Sequence, residues 1–260
     1  MQTQFLPVGD QLRAWRGRRR LSQLDLALDA EISARHLSFL ETGRSQPSRA
    51  MLLRLAERLA IPARDRNLLL VAAGFAPALP ERSLDDPALA AARRAVELVL
   101  KAHEPFPALA VDRHWQMLAA NAGVAPFLAG VAPHLLERPV NVLRLSLHPE
   151  GVAPRIVNLP EWRAHIFHRL EAQVEASADQ VLADLLAELR GYPGGGAKAA
   201  DSHGGVAVPL VLQAGEHRLS FLSTTTMFGT PIDITLSELA IEAFLPADAQ
   251  TVALLTGAVG

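Results

Sequence analysis

Residues 21–62, LSQLDLALDAEISARHLSFLETGRSQPSRAMLLRLAERLAIP, restrict the fold more than any other part of the chain. Ser22 followed by Asp25 is a capping-box start, and Leu24, Ala27 and Leu28 supply a short apolar stripe behind it. The pattern breaks at Ala30-Glu31-Ile32. Ser33 then caps a second short helix bearing Leu37 and Leu40, and Gly43 stops it. Two capped helices (22–29 and 33–42) joined by a three-residue turn exclude both a strand and one long helix here. Such a turn lets the second helix cross the first and project its N-terminal side chains outward. A duplex major groove admits one α-helix, and its base edges carry a distinguishing pattern of donors and acceptors. The expected exposed side chains are Ala34, Arg35, Ser38 and Phe39, with Ser33 and His36 beside the DNA backbone and Leu37 and Leu40 inside. Phe39 reads equally well as a core aromatic.

Val8, Leu12 and Trp15 mark one face of a preceding helix. Pro47-Ser48 starts a fourth, with Leu52, Leu55, Ala56 and Leu59 on one side, and Pro62 opens a fifth that ends near Gly74. Residues 1–82 hold 13 arginines, no lysine and 8 acids, a balance of +5, whereas the rest holds 12 basic and 19 acidic residues, a balance of −7. A basic end on an acidic chain suits a nucleic-acid contact confined to that end. A solvated face, or a helical bundle that docks on protein, would give the same arithmetic.

Over residues 8–72 this pattern resembles the phage-repressor type of helix-turn-helix, the xenobiotic-response-element regulator family. Ser22-Gln23, Leu26-Ala27, Ile32-Ser33, Leu40-Glu41, Gly43 and Pro47 carry the resemblance. It implies a homodimer on double-stranded operator DNA. Gln23 would touch a phosphate, Ala34, Arg35 and Phe39 would read bases, and Arg44, Ser48 and Arg49 would hold phosphates. The family often has glycine at the turn position where this chain has Glu31. A left-handed backbone there would cost roughly 1 kcal/mol.

Residues 76–90, with three prolines, read as a linker, and 91–102 as a connecting helix. Beyond them the periodicity changes. Two short strands flank a polar turn at Asp112–His114, and Asn121 is placed to cap a helix to about Leu128. Trp162, Ile166, Leu170 and Val174 space a helix over 161–176. Ser177 to Gln180 is a capping box for another, which carries Leu182, Leu185, Leu186 and Leu189. A glycine-rich loop (191–196) leads to strands VAVPLVLQ and HRLSFLSTTTMF around Ala214-Gly215-Glu216, and Thr235 to Glu238 caps a last helix through Phe244. The expected fold is an all-α five-helix bundle (1–75), a linker and connecting helix (76–102), and an α+β domain (103–260).

SARHLSFLETGRSQPSR with RNLLLVAAGFAPA, then NVLRLSLHPEG, EWRAH and STTTMFGTPIDITLSELAIEAFLPAD, resemble the MmyB-like regulators. LAVDRHWQMLAANAG resembles the opening of a PAS fold. These resemblances imply a PAS-like domain that senses a small, often apolar molecule, with fatty acids among the suggestions. Leu109, Val111, Trp115, Met117, Phe127, Phe221, Leu222, Met227 and Phe228 are large and apolar, as the wall of a small-molecule pocket requires, or equally a core. Val111, Trp115, Met117, Phe127, Phe221, Met227 and Phe228 are the ligand-binding candidates.

Catalytic readings are poor. Cysteine is absent. His165 and His168 have helical metal spacing but no acidic partner, and read as surface or interface histidines. Ser220, Ser223 and Thr224–Thr226 lack a nucleophile elbow. Gly194–Gly196 lacks the P-loop surroundings. Glu171 with Glu175, and Asp184 with Glu188, read as solvated pairs. No enzyme, cofactor or metal is expected. No apolar run reaches the ~18–20 residues of a membrane helix, and the N-terminus lacks signal-peptide order, so a cytoplasmic transcription regulator is expected. The alternatives are a C-terminal half that serves only dimerisation or protein docking, and an enzyme fused to a DNA-binding domain. The last needs converging polar groups in the C-terminal cavity.

Overall fold

A computed structural model describes residues 6–194 and 208–257. The end of the 191–196 glycine loop and the first residues of the strand read from 206 lie outside that range. Two compact units form. One is built in the main by residues up to Glu81 and the other by residues from Arg82 onward.

The first unit contains α1 (Val8–Arg18), α2 (Gln23–Asp29), α3 (Ala34–Glu41), α4 (Arg49–Arg58) and α5 (Ala63–Ala72). The serine caps form as read. Ser22 Oγ accepts from Asp25 N while the Asp25 carboxylate accepts from Ser22 N. Ser33 accepts from His36 N, and Ser48 from Met51 N. Leu12, Leu26, Leu37, Leu40, Leu52 and Leu55 make the centre of the core. The stripe on α2 differs from expectation: Leu24 and Leu28 are 58% and 68% exposed, and Leu26, Ala27 and Ala30 are buried. The two sets lie on opposite sides of a 3.6-residue turn, and α3 and α4 cover the second.

Each helix of this unit ends alike. The residue after the C-cap turns left-handed and its N–H meets a carbonyl three residues back. The next N–H reaches five back, as Ile32 does to Ala27 and Ile61 to Ala56. Gly43 and Gly74 take this position in α3 and α5, but Arg20 (φ 54°), Glu31 (φ 56°) and Ala60 (φ 46°) take it in α1, α2 and α4. The left-handed form costs a side-chain-bearing residue roughly 1–2 kcal/mol, and glycine's extra chain entropy offsets roughly half of that. Glu31→Gly and Ala60→Gly are therefore each expected to stabilise the unit by up to ~1 kcal/mol. Urea unfolding of the full chain reads this, and lower midpoints in both variants would refute it. Gly9 has a different reason. A Cβ there would lie 2.6 Å from the Leu40 and Glu41 carbonyl oxygens, so only glycine lets α1 lie against the end of α3.

The second unit contains α6 (Ala90–Ala102), β1 (Ala108–Val111), β2 (Met117–Ala120), α7 (Val142–Leu147), α8 (Leu159–Ser177), α9 (Gln180–Gly191), β3 (Leu210–Ala214), β4 (His217–Met227), α10 (Ile234–Ser237), β5 (Ala240–Pro246) and α11 (Ala249–Thr256). The strands form one sheet in the order β2-β1-β5-β4-β3, antiparallel throughout. Strand alternation assigns its two faces. Ala108, Ala110, Ile241 and Ala243 face a cluster with Val96 and Leu100 of α6. Leu109, Val111, Leu210, Leu212 and Phe221 face the larger core with α7, α8 and α9.

Three local expectations change. Residues 240–246 are not the end of a long helix. After the single turn α10 they form β5, a central strand paired to both β1 and β4. Its alanines, leucine and glutamate favour a helix, but pairing on both edges and apolar cover outweigh that weak preference. Asn121 does not cap the 3-10 turn that follows it. Its Oδ1 accepts from Ala108 N, and its Nδ2 donates to the Leu100 and Phe106 carbonyls, pinning the entry to β1. Asp179, not Ser177, caps α9, because α8 continues through Ser177 and ends in left-handed Ala178.

Candidate nucleic-acid interface and ligand cavity

In the first unit, Ser33, Arg35, Arg44, Ser48 and Arg49 are exposed, while Ala34, His36 and Phe39 are half-buried. The Arg35 guanidinium lies over the Phe39 ring, 5.4 Å from its centroid. Phe39 is therefore neither fully in the core nor free, and its ring restricts where Arg35 points. Arg44 lies in the loop between α3 and α4, and Arg49 follows that loop as the first residue of α4. Gln23 is engaged within the unit: its Nε2 donates to Glu41 Oε2 at 2.8 Å.

Glu41, which in the sequence only helped to carry the family resemblance, has a structural role that the sequence did not assign. It is 2% exposed. Arg16 donates to its two oxygens at 2.6 and 2.9 Å, and Arg13 donates to its backbone carbonyl at 3.0 Å. Burial alone pushes the Glu41 carboxyl upward. The Arg16 and Gln23 hydrogen bonds and the Arg16 and Arg13 charges outweigh it and hold the carboxyl below the ordinary range. The network ties α1 and the start of α2 to the end of α3, so it sets the angle at which α3 is presented.

In the second unit, a cavity of about 100 Å³ lies between the sheet and the helices that cover it. Its wall is mostly apolar: Leu109, Phe127, Leu145, Trp162, Ile166 and Phe244 are prominent. Of the candidates read from sequence, Trp115 and Phe127 line it. The others do not. Val111 and Phe221 are buried in the adjoining core, and Met117 packs against that core. Met227 is 60% exposed, and Phe228 joins the cluster on the opposite face of the sheet.

Trp115 is held by the polar turn before it. Asp112 Oδ1 accepts from His114 N and Gln116 N, both at 2.8 Å, and Asn141 Nδ2 donates to the His114 carbonyl. The turn forces Trp115 to φ 64°, a conformation costly for a bulky residue, and aims its indole at α8. There Nε1 donates to Gln173 Oε1, and the Arg169 guanidinium lies 4.7 Å from the ring centroid.

One end of the wall is polar, which the sequence did not reveal. Arg169 grips Glu242 with both terminal nitrogens, at 2.5 and 2.9 Å, and also donates to Thr225 Oγ1, which donates to Glu242. Glu242 is 3% exposed. Ser223 lies beside this pair on the wall. His165, read from sequence as a surface or interface histidine, lines the cavity and stacks on Trp162. Burial first, and then the nearby Arg169 charge, lower its pKa, so the ring is neutral near pH 7. His168 is exposed.

Glu171, Glu175, Asp184 and Glu188 are exposed, as expected of solvated charges. Glu171 and Glu188 also pair at the surface with Arg190 and Arg144. His134, His148 and Glu150 bring possible metal-ligand atoms within 4.8 Å of one another. However, His148 Nδ1 accepts the Glu150 amide proton at 3.1 Å, so the neutral ring carries its proton on Nε2 and offers no lone pair there.

A family model of the MmyB-like transcription regulator ligand-binding domain matches residues 92–256. The chain belongs to the MmyB-like transcription regulators. A helix-turn-helix domain model matches residues 7–69 of this MmyB-like regulator. Together the two domains make it a DNA-binding transcription regulator with a ligand-binding domain, and not an enzyme. No curated protein matches it. Among solved structures, the clp gene regulator ClgR from Corynebacterium glutamicum is 26% identical to it, over 38% of this chain and 90% of that one, with a TM-score of 0.23. Among the described residues, no helix is long and apolar enough to cross a membrane.

Proposed function

We propose that this regulator binds a paired operator site as a cytoplasmic homodimer, and that a small apolar or amphipathic molecule in the cavity of its second unit changes operator affinity. Arg35 and Phe39 of α3, with Ala34 beside them, would read base edges. Ser33, His36, Arg44, Ser48, Arg49 and the remaining amide valences of Gln23 would meet the backbone. The observation that carries the reading is the cavity: an apolar wall with one polar end, inside the ligand-binding domain itself. Pairing of chains follows from the short reach of α3, since repressor-type modules read half-sites about one helical turn apart, ~34–36 Å.

For the ligand to regulate, it must favour one conformational state, and such couplings are typically ~1–3 kcal/mol, or roughly 5–150-fold in affinity. The test is to extract the purified full chain with organic solvent, identify bound molecules by mass spectrometry, and titrate operator DNA with and without the extract. The expected result is a bound apolar molecule and an affinity change in that range, with the full chain sedimenting as a dimer at tens of micromolar. A dimer with no bound molecule and no change in affinity would leave the second unit a dimerisation domain only.

A further inference from the structure

Given the ligand reading above, on which this inference rests, the charges on the cavity wall narrow the chemistry of the ligand. Among the described lining residues the charged side chains are Arg169 and Glu242. They neutralise each other through a two-pronged pair at 2.5 and 2.9 Å, with Thr225 bridging them. The Trp115 ring covers the guanidinium at 4.7 Å. The third titratable group, His165, is neutral near pH 7 for the reasons given above.

We propose that the cavity selects an uncharged amphiphile, an acyl or alkyl chain ending in an alcohol, amide or ester, and discriminates against the ionised carboxylate of the same chain, with Glu242 as the specificity-determining residue. The apolar wall takes the chain. At the polar end a hydroxyl or amide finds hydrogen-bonding groups on Ser223 and His165 and the guanidinium N–H groups of Arg169 that Glu242 and Thr225 leave over. A carboxylate brought to the same place meets a cation whose charge Glu242 already balances, and meets the Glu242 charge itself. Neighbouring like charges away from water disfavour the ionised form. To bind as an ion it must displace Glu242, which β5 places at a buried position of the sheet.

Trp115 and Trp162 line the cavity, so intrinsic fluorescence of the full chain reports its occupancy. Decan-1-ol, decanamide and sodium decanoate share one chain length and are titrated at pH 7.5. The expected result is saturable binding of the first two, with decanoate at least ~10-fold weaker, as like-charge repulsion at a recognition site implies. Glu242→Gln should reverse the order by freeing the Arg169 charge. Arg169→Gln with Glu242→Gln should restore it. Should either variant fail to fold, the wild-type titration decides alone. Decanoate binding as tightly as the alcohol or tighter overturns the proposal while leaving the ligand reading intact. Saturation by none of the three overturns the ligand reading and the proposal with it.

Discussion

Glu41→Ala is expected to cost the DNA-binding unit ~3 kcal/mol, the low end of the ~3–5 kcal/mol that follows when one partner of a buried ion pair is removed. The low end applies because the Arg16 side chain keeps 16% of its surface in water, whereas that of Glu41 keeps none. Without the carboxylate, Arg16 loses both of its carboxylate bonds and Gln23 its acceptor. A loss of that size lowers hydrogen-exchange protection of the Leu37 and Leu40 amides by ~100-fold, since 1.4 kcal/mol is a factor of ten. A drop of less than about fivefold would mean that the network contributes little. The same carboxylate also sets an acid limit. Its pKa is lowered on folding, so its contribution is complete above the unfolded value of ~4.3 and is lost as pH falls from there through the folded value. Stability of the wild-type unit should thus decline below about pH 4.5. In Glu41→Ala that part of the decline should be absent.

Helix caps and helix faces were readable because their chemistry is local. Ser22, Ser33 and Ser48 each bond a backbone N–H three residues ahead, and the leucines of α4 repeat at the period of the helix that buries them. The strain at Glu31 was readable too, as the departure from glycine at a turn that needs positive φ. Glu41 was not. A glutamate after Leu40 looks like a solvated charge until Arg16 and Gln23, 25 and 18 residues away, are seen to close on it. The polar end of the cavity was hidden by a single misjudged period. Read as helix, 240–246 gives Glu242 no fixed face. Read as strand, alternation sends Glu242 and Phe244 to the cavity and Ile241 and Ala243 to the other side of the sheet. Trp115 and Phe127 were found from size and polarity alone. Phe221, no smaller, became core because its place on β4 lies beyond the cavity wall, and no local pattern records how far along a strand a cavity extends.

Arg35→Ala is expected to weaken binding to the cognate operator by ~1–3 kcal/mol and to narrow the gap between cognate and random DNA, whereas Arg49→Ala should weaken both alike. The difference follows from position. Arg35 is exposed on α3 with its guanidinium lying over the Phe39 ring, and on the proposed reading its fork makes two bonds to guanine O6 and N7. On the proposed reading Arg49, exposed at the start of α4 beside the Ser48 cap, meets a phosphate rather than a base edge. A base contact contributes only when the right base is present, so its loss appears in the specificity ratio. A phosphate contact releases counterions whatever the sequence, so its loss appears in the salt dependence, by about 0.9 in the slope of log K against log salt. Phe39→Ala leaves the Arg35 charge but removes the ring beneath it. It should therefore lose specificity while keeping the wild-type salt slope. Fluorescence anisotropy on a selected operator and on random duplex, at four or more salt concentrations, separates these effects. If Arg35→Ala loses the same factor on both DNAs and also flattens the slope, Arg35 is a phosphate contact, and base reading passes to other groups on α3.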